Sequence, residues 1–228
     1  MSKKFKLFSK LKTNLIDHPK IKHNRLKKRK WLRLKNTVPQ RLSEYGSLLM
    51  SKQMLRAFYG NCSEKEFIST YKKAKTLKGN TGVNFIKLLE HRLDTVLLRM
   101  RFANTFEEIR QFITHKHILV NDKIVHTSSF TLKTGDKITI RKESFEFISK
   151  RVLYNLEQYL NIENQKINDN ILNITNNYQL LFSPDYIEVN YNTLEGIFIK
   201  SPILDEIQYP FNIDLPKIIQ YYEYKKKL

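Results

Sequence analysis

The sequence predicts an α+β protein: within residues 88–140 a helical period gives way to short alternating runs, and turn signals mark the change. In the first half, Leu89, Leu93, Val96 and Met100 recur at steps of three and four, and Leu97 widens the stripe. Asn104 breaks that run. Thr105 starts a second helix, with Glu108 three residues on, as a capping box requires. Phe106, Ile109, Phe112 and Ile113 form its apolar stripe. After His115, Ile118-Leu119-Val120 and Lys123-Ile124-Val125 flank Asn121-Asp122, which suits a tight hairpin. Thr134-Gly135-Asp136 is a turn signal, and residues 137–140 are a further strand. Two short helices followed by a small antiparallel sheet make a compact unit.

Taken in order, the chain opens on a basic extension, residues 1–39. Arg25, Lys28 and Arg29 lie in its densest run, with Trp31 embedded among them. A block of like charge repels itself and is expected to gain order only against a counter-charge. The simpler reading is a solubility tail or localisation signal, but an indole within the run favours docking. Val38-Pro39 marks a boundary. A helix is expected from about residue 44 to 59, with Leu48, Leu55 and Phe58 toward the core and Gly60-Asn61 ending it. Ser63 with Glu66 forms another capping box; Phe67, Tyr71 and Ala74 stripe the next helix, and Gly79 is placed to cap its C-terminus. Residues 78–82 read as a turn between helices. A helix over 144–159 would carry Phe147, Val152, Leu156 and Tyr159. Residues 161–183 are Asn-rich with no clear period and read as a surface loop. Strands at 187–189 and 194–199 flank Asn190-Tyr191-Asn192; Pro202, Pro210 and Pro216 punctuate the remainder, and a short helix at 217–224 closes the chain.

The 228 residues carry a formal charge of +19, unevenly spread: +13 over residues 1–35, +10 over 36–151 and −4 over 152–228. A polyanion is the natural partner of the first two thirds. No apolar run approaches the ~20 residues of a spanning helix, so no membrane role is expected. Cys62 is the sole cysteine, which excludes an intrachain disulfide and a thiolate zinc site. His115 and His117 lack further ligands nearby and read as RNA-facing or packing side chains. The phosphate-binding GxxxxGK[ST], the HExxH zinc motif and the GxSxG elbow are all missing, so neither an enzyme site, a cofactor nor a metal is expected. Alanine, glycine and proline are scarce (3, 6 and 6), whereas Lys, Asn, Ile, Phe and Tyr are plentiful. An AT-rich coding sequence produces this bias, which is frequent in organellar genomes and shared by some bacteria. The N-terminus resembles a transit peptide in being nearly free of acids, with Asp17 alone in residues 1–35, but it is Lys-dominated and Ser-poor, which favours a retained RNA-binding tail.

The basic residues of the helix pair carry the functional reading. Arg92 and Arg99 are seven apart, a spacing that projects both from one side of the first helix. Arg101 lies in the connection, Arg110 on the second helix, and Lys116 and His117 follow its end. Any one alone reads as solvated surface charge. Converging on one supersecondary unit, they suit phosphate and folded RNA.

These residues resemble a known family. Arg92-Leu93-Asp94, Phe102-Ala103, Ile109-Arg110-Gln111 and residues 117–121 stand where the RNA-binding fold of the small-subunit ribosomal protein four family carries them. The same fold occurs in some tyrosyl-tRNA synthetases, pseudouridine synthases and a ribosome-recycling heat-shock protein. The flanks choose among these: Arg41 through Gly46, Lys52-Gln53, Phe58-Tyr59-Gly60, Tyr71 through Ala74 and Leu77 through Gly82 resemble the ribosomal protein, as do residues 186–189 and 194–198. The resemblance implies a helical domain, residues 40–90 plus about 203–228, with an RNA-binding domain of two short helices packed on a small antiparallel sheet inserted at 91–202. It also implies binding to small-subunit ribosomal RNA at a helical junction of the 5′ domain early in assembly. Neighbouring small-subunit proteins, protein five above all, and the channel through which messenger RNA enters are the other implied contacts, with an influence on decoding accuracy. The expected location is the ribosome, mitochondrial first, plastid or AT-rich bacterial otherwise. Candidate RNA contacts are Arg25, Lys28, Arg29, Arg41, Lys52, Arg56, Lys78, Arg92, Arg99, Arg101, Arg110, Gln111, Lys116, His117 and Asn121. The competing reading is a ribosome-associated factor or RNA-modifying enzyme sharing the module. Four departures stand out: no N-terminal cysteine cluster, which some members of the family carry; Arg101 where the family usually has Gly; Asp122 where it generally has Gly, which favours a different turn; and an acidic, Asn-rich C-terminal third, which weakens any transfer of RNA contacts there.

Overall fold

A computed structural model describes residues 43–163, 184–207, 209 and 211–227, apart from the side chains of 155–163 and 225–227. The basic extension, the boundary at Pro39 and residues 164–183 of the Asn-rich segment lie outside the described residues. The protein is α+β, and its described residues fall into two compact units, one within Met1–Gly82 and Gln208–Leu228, the other within Val83–Ile207.

In the first unit, α1 (Glu44–Phe58) starts where the Ser43 hydroxyl accepts from the Gly46 N–H at 3.1 Å. It buries Leu48, Lys52 and Leu55, one face at steps of four and three, and ends where Gly60 and Asn61 take positive φ. Phe58 is half-buried in an aromatic cluster with Tyr59, Tyr209 and Phe211. Ser63 caps α2 (Glu64–Thr76), which buries Phe67, Tyr71 and Ala74. Gly79 does not cap α2: the helix stops at extended Leu77, and Gly79 uses its φ of +102° in the loop beyond. Asn80 accepts from Gly82 N–H at 2.8 Å and opens α3 (Thr81–Glu90), whose residues from Val83 onward belong to the second unit. The C-terminal helix covers Leu215–Lys227 and packs on α1, with Tyr221 against Tyr45 and Lys52, while buried Tyr222 stacks on Tyr71 of α2 at 4.4 Å. It begins two residues before the expected start because Pro216 is tolerated in a first turn, where its missing N–H has no helical partner.

In the second unit, α4 (Leu93–Arg99) and α5 (Phe106–Thr114) pack together on a five-stranded antiparallel sheet. The strands are β1 (Ile118–Val120), β2 (Lys123–Ile124), β3 (Lys137–Ile140), β4 (Ile187–Asn190) and β5 (Glu195–Phe198), in the order β2-β1-β3-β5-β4. The pairing of Val120 with Lys123 leaves a two-residue turn, Asn121-Asp122, with both φ positive at 49° and 62°. Positive φ at both central positions is the type I′ arrangement, so Asp122 keeps the tight turn after all. A single core joins Leu93, Val96 and Met100 of α4, Ile109 and Ile113 of α5, and Ile118, Ile138, Val189 and Phe198 of the sheet.

Two further expectations about helices are corrected. Residues 88–100 are not one helix: α3 ends at Glu90, Arg92 is extended, and α4 begins at Leu93. Backbone at 91–93 turns instead to the loop at 130–132, with Leu93 N–H donating to Phe130 O at 2.9 Å and Leu132 N–H to His91 O at 2.8 Å. The apolar stripe survives because Leu89 and Leu93 are both fully buried on either side of the break. The helix after a 3₁₀ turn at Lys142–Ser144 is α6 (Phe145–Glu163), longer than expected. Its inward face is Ile148 and Val152, one helical step of four apart, while Phe147 is 62% exposed. The Leu215–Lys227 helix is α7.

Candidate RNA interface

Two fully buried carboxylates organise the basic edge of the second unit. Asp94, in the first turn of α4, accepts from Arg92 through both oxygens, Nε and a terminal nitrogen each at 3.0 Å. Its Oδ2 also accepts from Arg110 of α5, at 3.2 Å from Nε and 3.1 Å from a terminal nitrogen. Glu90, at the end of α3, accepts from Arg99 at 3.2 and 2.8 Å and from the Tyr186 hydroxyl at 3.1 Å. A buried carboxylate is costly unless paired and hydrogen-bonded, and both acids meet that condition with bidentate arginines. Arg92 and Arg99 therefore do not share one side of a helix: Arg92 precedes α4 and lies on Asp94, and Arg99 lies on Glu90. The Arg92 side chain is 6% exposed, Arg99 20% and Arg110 29%. Arg110 also lies over the Phe106 ring, 5.5 Å from its centroid.

The end of α5 presents the next group. His115 caps the helix, Lys116 N–H donates to Ile113 O at 3.0 Å and His117 N–H to Phe112 O at 3.1 Å. This is the Schellman arrangement, with Lys116 at φ +64° where glycine is usual. Lys116 and Gln111 are exposed. The His117 ring stacks on His115 at 5.8 Å, and its Nδ1 lies 2.6 Å from Ser144 Oγ. Burial, with the charges of His115 and Arg141 adding, holds His117 below the ordinary histidine pKa, so its neutral form is favoured. Arg101 joins α4 to α5 at φ +60°, in the left-handed region that favours glycine. Asn121 donates to Asp136 at 2.9 Å and accepts from Lys137 N–H at 2.9 Å, pinning the hairpin turn to β3.

Among candidates in the first unit, Lys52 and Arg56 are drawn inward. The Lys52 ammonium meets both Glu64 oxygens at 3.0 and 2.9 Å and lies 4.8 Å from the Tyr221 ring centroid. Arg56 donates to Cys62 O at 2.6 Å and to Glu64 at 3.2 Å. Lys78 is exposed. Arg25, Lys28, Arg29 and Arg41 lie outside the described residues. Sequence reasoning passed over the roles of Asp94 and Glu90. An acid followed by Thr95, Val96 and Leu97 was the available signal at Asp94, since a carboxylate in an apolar run needs a buried partner. Among the described residues no group of three or more His, Cys, Asp or Glu could hold a metal ion, and no helix is long and apolar enough to cross a membrane.

Comparison with known proteins adds to this geometry. The family model of the ribosomal protein S4/S9 N-terminal domain matches residues 1–90, and that of the S4 domain matches residues 91–138. The small ribosomal subunit protein uS4m of Reclinomonas americana is 39% identical over 178 residues, 78% of this chain and 65% of that protein. The uS4 proteins of Acidiphilium cryptum and Rhodospirillum centenum are 35% and 36% identical over 180 residues, 79% of this chain and 78% of each relative.

Proposed function

The chain belongs to the small ribosomal subunit protein uS4 family, and from that premise we propose that it is a structural protein of the small subunit that binds small-subunit ribosomal RNA. The observation that carries this reading is the pair of adjoining family matches, from residue 1 to 90 and from 91 to 138. The role is structural, not enzymatic, as in the family. Lysines and arginines displace counterions from phosphates, which supplies affinity. The helix pair, with its arginines fixed on buried acids, selects RNA shape. In this reading the RNA-facing surface of the second unit is made by Arg99, Arg101, Arg110, Gln111, Lys116 and His117, and Arg25, Lys28 and Arg29 of the extension 1–39, Arg41 and Lys78 supply further contacts. Arg92, Lys52, Arg56 and Asn121 serve by holding the scaffold, since each directs polar atoms to partners within the protein.

We further propose binding at a helical junction of the 5′ domain, contact with small-subunit protein five, a place by the channel through which messenger RNA enters, and a mitochondrial ribosome. The organellar location is supported by the AT-type composition and by the likeness to the Reclinomonas americana protein. The test is competitive binding of the purified chain to a 5′-domain junction fragment and to a plain RNA duplex of equal length. Preference for the junction is expected at every salt concentration. Equal affinity for both would overturn the shape-reading role.

A further inference from the structure

Arg99 and Arg110 look alike in the sequence, yet the carboxylates beneath them differ. Glu90 takes Arg99 together with a tyrosine hydroxyl, whereas Asp94 is shared by two guanidinium groups. One of these, Arg92, is buried beside it, and the other, Arg110, reaches the surface. Asp94 is itself held: it is fully buried, and its N–H donates to Ser128 O at 3.3 Å. Arg92 grips both Asp94 oxygens and fixes the plane of the carboxylate. Arg110 therefore meets a carboxylate whose position and plane are set by other groups, with the Phe106 ring against it.

We propose that Asp94 is a positioning residue for RNA recognition, a buried carboxylate that orients the Arg110 guanidinium toward a phosphate of the folded RNA. The proposal rests on the RNA-binding reading above. A guanidinium is planar and directional, so its value in reading a folded backbone depends on orientation. A free arginine loses rotamer freedom when it binds, and one already held by the protein loses less.

The test is a double-mutant cycle on the full chain, with the ratio of junction to duplex affinity as its readout. Arg110→Ala is expected to lower junction affinity by about 10- to 100-fold, the range for a hydrogen bond to a charged group, with a smaller fall on duplex. Asp94→Asn is expected to lower the ratio in the same direction, and Asp94→Asn with Arg110→Ala to lower it no further than Arg110→Ala does. A purely structural role for Asp94 would reduce the folded fraction and weaken both RNAs equally, leaving the ratio at its wild-type value. That result, or additive losses in the double variant, would overturn the proposal while leaving Arg110 as an RNA contact. A wild-type ratio for Arg110→Ala would overturn both this inference and the RNA-facing placement of Arg110. Should Asp94→Asn fold poorly by thermal unfolding, Asp94→Glu provides the second arm: it keeps the charge, displaces the carboxylate by one methylene, and is expected to lower the ratio too.

Discussion

Lys116 carries a conformational cost for its place at the end of α5. Its φ of +64° lies in the left-handed region, where an L-residue is less stable by roughly 1–2 kcal/mol than in a right-handed turn and glycine is not. Lys116→Gly should therefore raise the free energy of unfolding by about 1 kcal/mol, offset partly by glycine's greater chain entropy. The same change should weaken RNA binding, since the side chain is exposed and carries one of the basic edge's charges. Thermal unfolding and RNA titration of one preparation check both signs. Lower stability would mean that the lysine side chain supports the turn. Arg92 and Arg99 differ in a way that their spacing of seven conceals. The chain separates them because Arg92 falls before α4 begins. Their burial depends on Asp94 and Glu90, and no local pattern states which acid takes which base.

Elements whose signals are local were legible. The Thr105 hydroxyl accepts from Glu108 N–H at 3.2 Å, as the spacing predicts, although the Glu108 carboxylate accepts from Arg151. The tight hairpin at Asn121-Asp122 forms, with Val120 paired to Lys123. The break between α3 and α4 was not legible, because it depends on backbone partners at 130–132 and the apolar stripe runs through it unchanged. The join of β5 to β3 was equally hidden, since strands distant in sequence leave no local mark. Gly196 shows what that join requires. It pairs with Ile138 and Val189, and an added Cβ would lie 2.2 Å from Met100 Cε and 2.9 Å from its sulfur. Met100 is fully buried and can yield only by displacing its neighbours. Gly196→Ala should cost about 1–3 kcal/mol of stability, measured by denaturant unfolding. A neutral effect would show that the Met100 side chain repacks freely.

Across the whole molecule, the proposed RNA-binding role divides between charge and structure. The first 35 residues carry +13, while the second unit fixes fewer cations on a packed frame. Deleting residues 1–35 should flatten the salt dependence of RNA binding, by about 0.9 in the log–log slope for each duplex-like phosphate that is no longer neutralised. The proposed preference for junction over duplex should survive, because the arginines assigned to it lie on the helix pair. An unchanged slope would mean that the extension does not touch RNA.

A structural component of the small ribosomal subunit should stay on salt-washed subunits in stoichiometric amount. Small subunits isolated from the source organelle or cell are washed in high salt, and the chain is quantified against their ribosomal RNA. Close to one copy per subunit is expected to be retained through the wash. Release of the chain into the wash, or far fewer copies than subunits, would identify a transient factor carrying the same RNA-binding module and contradict the structural role.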